Sequence, residues 1–265
     1  MSDPDLLFSA SERSSLLLGR AGIKRLSEAR IAVFGLGGVG GMAAEALCRS
    51  HIGALTLIDA DVLSASNLNR QIISDYKSIG QSKVKQMAER LRAINPAIQL
   101  ELREEFISTD SNLDFLIGHD YVVDCIDTVS AKIAIASYCD RQSLPLIACM
   151  GTARRLDPSR LRCMDLFDTK NDPLCRVMRR ELRKRGISRL EIVASDEAPQ
   201  GVSPNCFPGE KRLGSLIFVP ATAGLRLASE VIFRLAAPLK DEALSDEERV
   251  YLGDSSLKPE LDQPS

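Results

Sequence analysis

The sequence has few of the residues that bind structural zinc. It contains two histidines, His51 and His119, and its seven cysteines include no Cys-x-x-Cys pair. Structural zinc sites usually combine four such ligands at short spacings, so we expect no zinc site. Most of the cysteines lie in apolar stretches, where a free cysteine typically packs in the core as a small hydrophobic side chain. Cys206 instead lies in a polar stretch with several Pro and Gly residues, and its role stays open.

A long apolar run is also absent. A membrane-spanning helix needs about 18 consecutive apolar residues, and the nearest candidate, 216–239, is interrupted by Arg226, Glu230 and Arg234. That stretch favours an amphipathic helix. The first residues of the chain lack the basic start and apolar core of a secretory signal. We therefore expect a cytoplasmic protein with no membrane partner.

Neither positive nor negative charge is in large excess over the whole chain. The formal net charge is −2, so bulk electrostatics indicate no nucleic-acid partner. Residues 151–190 nevertheless hold twelve Lys or Arg against five Asp or Glu. Asp172 followed by Pro173 predicts the start of a helix there, which Gly186 ends. Four arginines of this helix are weak candidates for contacts with a nucleic-acid phosphate backbone, the alternative being a solvated face: Arg176, Arg179, Arg180 and Arg183.

The chain does contain a glycine-rich turn between an apolar run and a helical pattern. Residues 31–34 form the apolar run, and a second one, 55–58, ends on Asp59. Strand, turn, helix and strand in this order are typical of a doubly wound α/β fold. The helix that starts at the turn points free N–H groups at a phosphate, and Asp59 is placed to bind ribose hydroxyls. The turn supplies four glycines: Gly35, Gly37, Gly38 and Gly40.

The turn alone leaves the ligand open. A dinucleotide-dependent oxidoreductase or a non-catalytic dinucleotide-sensing module would show the same pattern, and the glycines would also suit tight packing alone. Polar residues further along the chain, Asn67, Arg70 and Lys83, favour ATP. A triphosphate carries more charge than a dinucleotide pyrophosphate and has to lose pyrophosphate, so a cationic clamp suits it.

An acidic residue ends the next predicted strand. The stretch 121–127 predicts a buried strand that finishes on Asp127. Ligands of open α/β sheets bind at the carboxyl ends of strands, and hard oxygen donors suit magnesium. Asp127 is therefore a candidate Mg²⁺ ligand. The alternative is that Asp127 caps the helix that begins near Ser130.

Taken as a set, these motifs resemble the adenylating domain of ubiquitin-activating-enzyme-like proteins. The chain is more similar still to the tRNA threonylcarbamoyladenosine dehydratases of that superfamily, over about residues 13–235. The superfamily motifs, in order and spacing, are Asp59-Ala60-Asp61, Asn67-x-x-Arg70-Gln71, Lys83 and Asp124-Cys125-Ile126-Asp127. The stretches that carry the closer similarity are 13–19, 34–40, 67–72 and 176–179.

The resemblance implies that ATP, with Mg²⁺, activates a carboxylate as an acyl-adenylate. Arg70, Lys83 and Asp127 would be the catalytic residues, and Asp127 would hold the metal. The substrate would be N6-threonylcarbamoyladenosine beside the tRNA anticodon, cyclised with loss of water. Arg13 would serve the partner's nucleotide site in a homodimer. The implied nucleotide-binding set is Arg13, Gly35, Gly37, Gly38, Gly40, Asp59, Asp61, Asn67, Arg70, Gln71, Lys83 and Asp127.

A second substrate class stays open within adenylation. The runner-up is the C-terminal Gly-Gly of a sulfur-carrier or ubiquitin-like protein, and the identity of any sulfur-transfer partner stays open too. The sulfur-carrier-activating members of the superfamily hold zinc with two Cys-x-x-Cys pairs. This sequence departs from that pattern, because it has none.

These observations predict an α/β fold with a doubly wound, Rossmann-like and mostly parallel sheet. Residues 1–150 would form the nucleotide-binding half. Residues 151–240 would form a substrate-presenting half of the same domain that completes the sheet. Within it we expect a strand at 214–219 and a helix at 221–235. The polar tail at 241–265 is expected to be disordered.

Overall fold

The structure, a computed structural model, describes residues 4–170, 172–201 and 213–237. Cys206 and the tail at 241–265 lie outside the described residues. Within them, seven strands form one sheet in the order β3-β2-β1-β4-β5-β7-β6. The strands are β1 (Arg30–Phe34), β2 (Ala54–Ile58), β3 (Gln99–Arg103), β4 (Tyr121–Asp124), β5 (Leu146–Cys149), β6 (Leu161–Asp165) and β7 (Glu191–Ser195).

Strand β1 lies where the strand order reverses. It pairs with β2 on one side and with β4 on the other, and every pair except β6–β7 is parallel. Ligands of such sheets bind outside the carboxyl ends of the strands at this reversal. The predicted doubly wound, mostly parallel sheet is confirmed, and the second half of the chain completes it with β6 and β7.

Helices cover both faces of the sheet. The side chains of Ile31 and Val33 pack into the core beneath α2, α3 and α6, whereas Ala32 and Phe34 pack into the core beneath α4. Successive side chains of a strand point to opposite faces, so a strand buried on both faces is a continuous apolar run. No described helix is long and apolar enough to cross a membrane. The helices are α1 (Pro4–Glu28), α2 (Gly40–Arg49), α3 (Lys83–Ile94), α4 (Val129–Gln142), α5 (Pro173–Arg183) and α6 (Phe218–Ala236).

The segment before α6 is not a strand, so the prediction for 214–219 is wrong. Residues 213–217 form neither a helix nor a strand, and α6 begins at Phe218. The run from Leu216 to Val219 is apolar and β-prone, but tertiary packing overrides such a preference. Pro220 then falls in the first turn of α6, where its missing N–H costs no helical hydrogen bond.

Candidate functional site

The turn between β1 and α2 contains two kinds of glycine. Gly35 has a φ of 81°, and a Cβ there would lie 3.0 Å from the carbonyl of Cys125. A Cβ at Gly40 would overlap the carbonyl oxygen of Gly35, at 1.7 Å. These two glycines close the turn on itself and on the end of β4. At Gly37 the nearest atom to a Cβ is Gln71 Nε2, 3.9 Å away, so this glycine leaves room for a ligand.

Backbone donors at the start of α2 are free. Within the described part of the chain, the N–H groups of Gly37, Gly38 and Val39 donate no hydrogen bond. A Cβ at Gly38 would lie 3.3 Å from the Arg70 carbonyl oxygen, so the turn and the Arg70 loop pack closely. Free N–H groups coincide here with the positive end of the helix dipole, an arrangement that suits a phosphate.

Asp59 ties the end of β2 to the glycine turn. One of its carboxylate oxygens accepts the N–H of Leu36 at 2.6 Å, and the other accepts the N–H of Asp61 at 2.8 Å. These bonds fix the carboxylate at the carboxyl edge of the sheet. Each oxygen keeps a further lone pair, and the binding of Asp59 to ribose stays a prediction.

Lys83 lies in the first turn of α3 and faces two carboxylates. Its Nζ is 2.6 Å from Asp61 Oδ2 and 3.7 Å from Asp59 Oδ1. Ser82 is the N-cap residue of α3, and its hydroxyl accepts the N–H of Lys85 at 3.4 Å. A cation in the first turn of a helix opposes the helix dipole. The position of Lys83 is therefore explained by its carboxylate partners and not by helix stability.

The loop after β2 brings Asn67 and Arg70 next to the turn. Asn67 is buried, and its Oδ1 accepts the N–H of Ser64 at 3.0 Å. Its backbone carbonyl accepts the N–H groups of Arg70 and Gln71. Arg70 is half-buried and folds back onto its own loop, with Nη1 donating to the Ser66 carbonyl at 2.7 Å. The internal bonds of Asn67 fix the loop in which Arg70 packs against Gly38 of the turn.

The side-chain amide of Gln71 lies close to Gly37 of the turn. The side chain is buried, and its Oε1 has no hydrogen-bond partner among the described residues. A buried carbonyl without a donor carries a desolvation cost. The amide is thus placed to receive a hydrogen bond from a bound molecule, and its predicted nucleotide-binding role stays a prediction.

Strand β4 ends earlier than predicted, and Asp127 lies in the loop that follows. The strand stops at Asp124. Asp127 is exposed, and among the described residues its carboxylate meets only the Thr128 hydroxyl, at 3.5 Å. The N-cap residue of α4 is Thr128, so the capping alternative for Asp127 is wrong. Its carboxylate is open to a ligand at the carboxyl end of β4.

A buried ion pair supports this edge of the sheet. Lys132 Nζ lies 3.0 Å from Asp124 Oδ2, and each side chain is 1% exposed. Burial raises the pKa of Asp124, whereas the charge of Lys132 opposes that rise. Asp124 also accepts the N–H of Ile126 at 3.0 Å, which orients the loop that leads to Asp127. The sequence analysis missed this pair, although a lysine between Ala131 and Ile133 in a helix was a signal.

Two predicted groups are not brought to the turn. Arg13 is exposed on α1, which packs against α6, and no described contact joins it to the glycine turn. The four arginines of the basic helix lie on α5, which packs against α4 and not against α2. A role for either group at the nucleotide therefore depends on a second chain or on a large substrate.

One arginine of α5 turns inward. The Nη1 of Arg179 donates to the carbonyl oxygens of Leu166 and Thr169, the latter at 2.8 Å, and also contacts the Thr169 hydroxyl. Thr169 directly follows a short 3₁₀ turn at Leu166–Asp168, where helical partners run out and its carbonyl takes a side-chain donor. The Leu166 carbonyl also accepts the N–H and the hydroxyl of Thr169. Arg179 is therefore engaged by the protein itself, unlike a side chain that is free to contact a phosphate.

The other three arginines of α5 are exposed. Arg180 pairs with Glu181 at 3.0 Å, and the guanidinium of Arg183 lies 5.3 Å from the ring centre of Phe167. Arg176 has no ion-pair partner in the described part of the chain. These three side chains remain candidates for contacts with RNA phosphates, which stays a prediction.

The described cysteines agree with the interpretation that cysteine packs in the core of this protein as a small hydrophobic side chain. Four of them are fully buried, and burial raises the pKa of Cys149 to about 12. A thiol with such a pKa stays protonated and is a poor nucleophile or metal ligand. Among the described residues, potential metal ligands meet at Cys163, Glu191 and Glu230. Arg234 pairs with Glu191 there, so this cluster already holds its cation.

Comparisons with known proteins place the whole described chain in one group. The model of the ThiF family matches residues 11–241. The tRNA threonylcarbamoyladenosine dehydratase of Bacillus subtilis is 34% identical over 247 residues, which cover 88% of this chain and 97% of that protein. A molybdopterin-synthase adenylyltransferase of Salmonella typhimurium is 29% identical over 210 residues, which cover 76% of this chain and 82% of that protein.

A solved structure shares the fold over the same length. The crystal structure of E. coli tRNA N6-threonylcarbamoyladenosine dehydratase in complex with ATP has a TM-score of 0.81 and 33% sequence identity to this chain. The match covers 89% of this chain and 97% of that one. The similarity therefore extends through β7 and α6, beyond the nucleotide-binding half.

Proposed function

This chain belongs to the ThiF family, and we propose that it is an ATP-dependent tRNA threonylcarbamoyladenosine dehydratase. It adenylates the carboxylate of N6-threonylcarbamoyladenosine and closes the activated side chain into the cyclic form. The observation that carries the proposal is the match, along nearly the whole of both chains, to a Bacillus subtilis protein with this activity in its name. The free donors and cations around the glycine turn support ATP as the activating nucleotide.

ATP binds across the glycine turn. The N–H groups at the start of α2 receive phosphate oxygens, and Gly37 lets the phosphates approach the backbone. Arg70 and Lys83 supply positive charge to the phosphates. Asp61 holds Lys83, and the Ser66 carbonyl holds Arg70. These internal contacts keep both side chains ordered before ATP binds. ATP binding then replaces them with contacts to the phosphates.

Asp127 fits the magnesium ion that accompanies ATP. Its carboxylate is exposed at the carboxyl end of β4 and caps no helix. Magnesium prefers hard oxygen donors and is usually held by one or two carboxylates together with phosphate oxygens. When bound, the ion neutralises charge on the phosphates and orients them for displacement.

Adenylation requires no general base, because the substrate carboxylate is already ionised at neutral pH. A carboxylate oxygen attacks the α-phosphorus, a new P–O bond forms, and the bond to pyrophosphate breaks. Arg70 and Lys83 stabilise the negative charge that moves onto the departing pyrophosphate. A neighbouring atom of the same side chain then attacks the acyl carbon, the bond to the phosphate oxygen breaks, AMP leaves, and the attacking group releases its proton to solvent. The nucleoside has then lost the elements of one water.

The enzyme acts as a homodimer in the cytoplasm, with Arg13 serving the partner's site. Leu16 and Leu17 follow Arg13 by three and four residues and therefore share its face of α1. Both leucines are strongly exposed, as is Phe233 on α6, against which α1 packs. Burying these side chains against a second copy removes apolar surface from water. The same contact brings Arg13 onto that copy.

The second candidate is adenylation of the C-terminal Gly-Gly of a carrier protein. It is favoured by the similarity to a molybdopterin-synthase adenylyltransferase, and it uses the same first chemical step. It is disfavoured because the chain lacks the two Cys-x-x-Cys pairs of the sulfur-carrier-activating enzymes.

Nucleoside mass spectrometry decides between the two candidates. The protein is incubated with Mg²⁺, ATP and tRNA that carries N6-threonylcarbamoyladenosine, and the tRNA is then digested. We expect a nucleoside lighter by one water, formed with ATP and absent when NAD replaces it. No conversion of the tRNA, combined with ATP–pyrophosphate exchange that depends on a Gly-Gly-terminated carrier protein, would favour the second candidate.

A further inference from the structure

Arg155 is a buried arginine with free hydrogen-bond donors. It follows β5 in the loop that begins at Gly151, and it is 3% exposed. Its Nη2 lies 2.8 Å from Asp172 Oδ2. Its Nε and Nη1 are also buried and have no hydrogen-bond partner in the part of the chain that the structure describes. Arginine has five N–H donors in a fixed plane, so a guanidinium held on one edge leaves the others directed at whatever occupies the adjoining space.

The guanidinium is held rigidly. Asp172 is the N-cap residue of α5, and its Oδ1 accepts the N–H of Cys175 at 2.8 Å while its Oδ2 accepts from Arg155. Both oxygens of this carboxylate are therefore engaged, and the arginine is fixed to the start of α5. Buried donors fixed in this way are preorganised for a ligand, because no side chain has to be ordered on binding.

The position of Arg155 relates it to the nucleotide site. Phe34, Asp124 and Ala148 are in register across β1, β4 and β5. The glycine turn follows Phe34, and Gly151 lies just beyond Ala148, two strands away, or roughly 10 Å at the usual strand spacing. A Cβ at Gly151 would lie 3.9 Å from Asp172 Oδ2, so a residue without a side chain lies beside the ion pair. An acyl group attached to a nucleotide at the turn would extend along this edge.

The charges around Arg155 favour a neutral acceptor. Asp172 already balances the guanidinium. A second buried carboxylate, Glu197, accepts the N–H groups of Leu156 and Asp157. The hydrogen bond from Asp157 lowers the pKa of Glu197 most, and the charge of Arg155 adds to this effect. An ionised ligand would add a third negative charge beside a single cation. A carbonyl oxygen accepts the same hydrogen bonds without that repulsion.

We propose that Arg155 forms a subsite that binds a carbonyl oxygen of the substrate's carbamoyl-threonyl group through its Nε and Nη1 donors. This inference rests on the proposed function and names a residue that selects the modified nucleoside at the carboxyl end of β5. Arg155 thus holds the acyl side of the substrate, while Arg70 and Lys83 hold the phosphate side. Its free donors are matched only when the modified nucleoside is bound.

The test is the Arg155→Lys protein. Lysine can keep the ion pair with Asp172 but has neither the Nε nor the second Nη donor, so we expect the fold to persist. Binding is measured for two tRNAs that differ only in the threonylcarbamoyl group. We expect the preference of the wild-type protein for the modified tRNA to fall by roughly 10- to 100-fold in Arg155→Lys, the range for hydrogen bonds to a charged donor. ATP affinity and binding of the unmodified tRNA should not change.

Arg154→Lys is the matched control, because the neighbouring Arg154 is half-exposed and its Nε donates to the Gln200 carbonyl. The preference ratio does not depend on the fraction of folded protein, so a partly unfolded variant still gives an answer. An unchanged preference in Arg155→Lys, or an equal loss for both tRNAs, overturns the subsite. If Arg155→Lys binds ATP more weakly but keeps its preference for the modified tRNA, Arg155 contacts a phosphate, and the proposed subsite is also overturned. If the wild-type protein converts no modified tRNA, the proposed function fails instead.

Discussion

Lys83 Nζ lies 2.6 Å from Asp61 Oδ2, and the two partners differ sharply in exposure. The lysine is 6% exposed, whereas the side chain of Asp61 is 70% exposed. A buried ammonium needs a partner or it loses its charge, and Asp61 together with Asp59 provides that partner. An incoming phosphate can take over this role from the solvent side, where Asp61 is free to move away.

Removal of this cation should abolish turnover and leave the fold intact. In Lys83→Ala, Asp59 and Asp61 repel the phosphates with no cation between them, so we expect ATP affinity to fall. We also expect kcat to drop by roughly 10²–10³, the usual cost of removing one charge-stabilising group. Lys85→Ala is the control, because Lys85 is exposed and pairs only with Glu104 on the surface. Equal rates and equal ATP affinities for the two variants would contradict the assignment.

The two kinds of glycine in the turn should respond differently to alanine. A methyl at Gly40 overlaps the Gly35 carbonyl oxygen at 1.7 Å, so Gly40→Ala should unfold the turn and yield little folded protein. A methyl at Gly37 meets nothing closer than 3.9 Å, so Gly37→Ala should keep its thermal midpoint and lose ATP binding by filling the approach to the backbone. Thermal unfolding and calorimetry separate the two effects. Normal ATP binding by Gly37→Ala would place the phosphates elsewhere.

The buried pair behind the site makes a prediction about stability and pH. In Lys132→Met the Asp124 carboxylate is left without its cation, which should cost about 3–5 kcal/mol at pH 7. Burial raises the pKa of Asp124 in the folded chain, and loss of Lys132 raises it further. The folded variant then binds more protons than the unfolded chain, so its stability falls as pH rises. We expect the deficit to shrink from pH 7 to pH 5 in urea titrations.

The double variant Asp124→Leu, Lys132→Met controls for the charge. It removes both ionised groups, so stability should recover and lose its special pH dependence. A stability deficit in Lys132→Met that is constant with pH would mean that the lysine stabilises the fold by packing and not by charge.

The local part of the site could be predicted from the sequence. The glycine turn, Asp59 and the helix capped by Ser82 each depend on residues close together in the chain. Their convergence follows from the rule that ligands bind at the carboxyl ends of strands at a reversal. The pairs that join distant segments could not be predicted in this way. Lys132 and Arg155 are visible as charges, but their buried partners Asp124 and Asp172 are chosen by the fold.

Apolar runs without periodicity were the other source of error. Residues 216–219 are β-prone, although Pro220 is compatible with the first turn of a helix. The packing of α6 on α2 stabilises the helix that begins at Phe218. The antiparallel edge strand β6 gave a weak signal for a related reason. It is half-exposed and carries Arg162 and Asp165, so it lacks the continuous apolar run that marks β1 and β4.

A complementation experiment tests the homodimer. Arg13→Ala and Arg70→Ala should each be inactive. Arg13→Ala removes the arginine that each chain supplies to the nucleotide site of its partner, and Arg70→Ala removes an arginine from each chain's own site. In a hybrid dimer, one of the two sites has an intact Arg70 and receives Arg13 from the other chain. We therefore expect mixing to restore up to about a quarter of the wild-type activity, given statistical exchange and one good site in half of the dimers. Verified subunit exchange without any recovery would mean that Arg13 acts within its own chain or not at all.

The arginines of α5 should separate into a binding group and a structural one. Arg176, Arg180 and Arg183 are exposed, and the surface pair of Arg180 with Glu181 contributes little to stability. Changing the three to Ser should weaken tRNA binding and reduce the log–log salt slope by roughly 0.7–0.9 for each phosphate that is no longer neutralised, with ATP affinity unchanged. Arg179→Ser should instead lower the thermal midpoint, because it leaves the Thr169 carbonyl without its donor. A salt slope that is the same in the triple variant and the wild type would make this helix a solvated face, and tRNA would then bind to another surface.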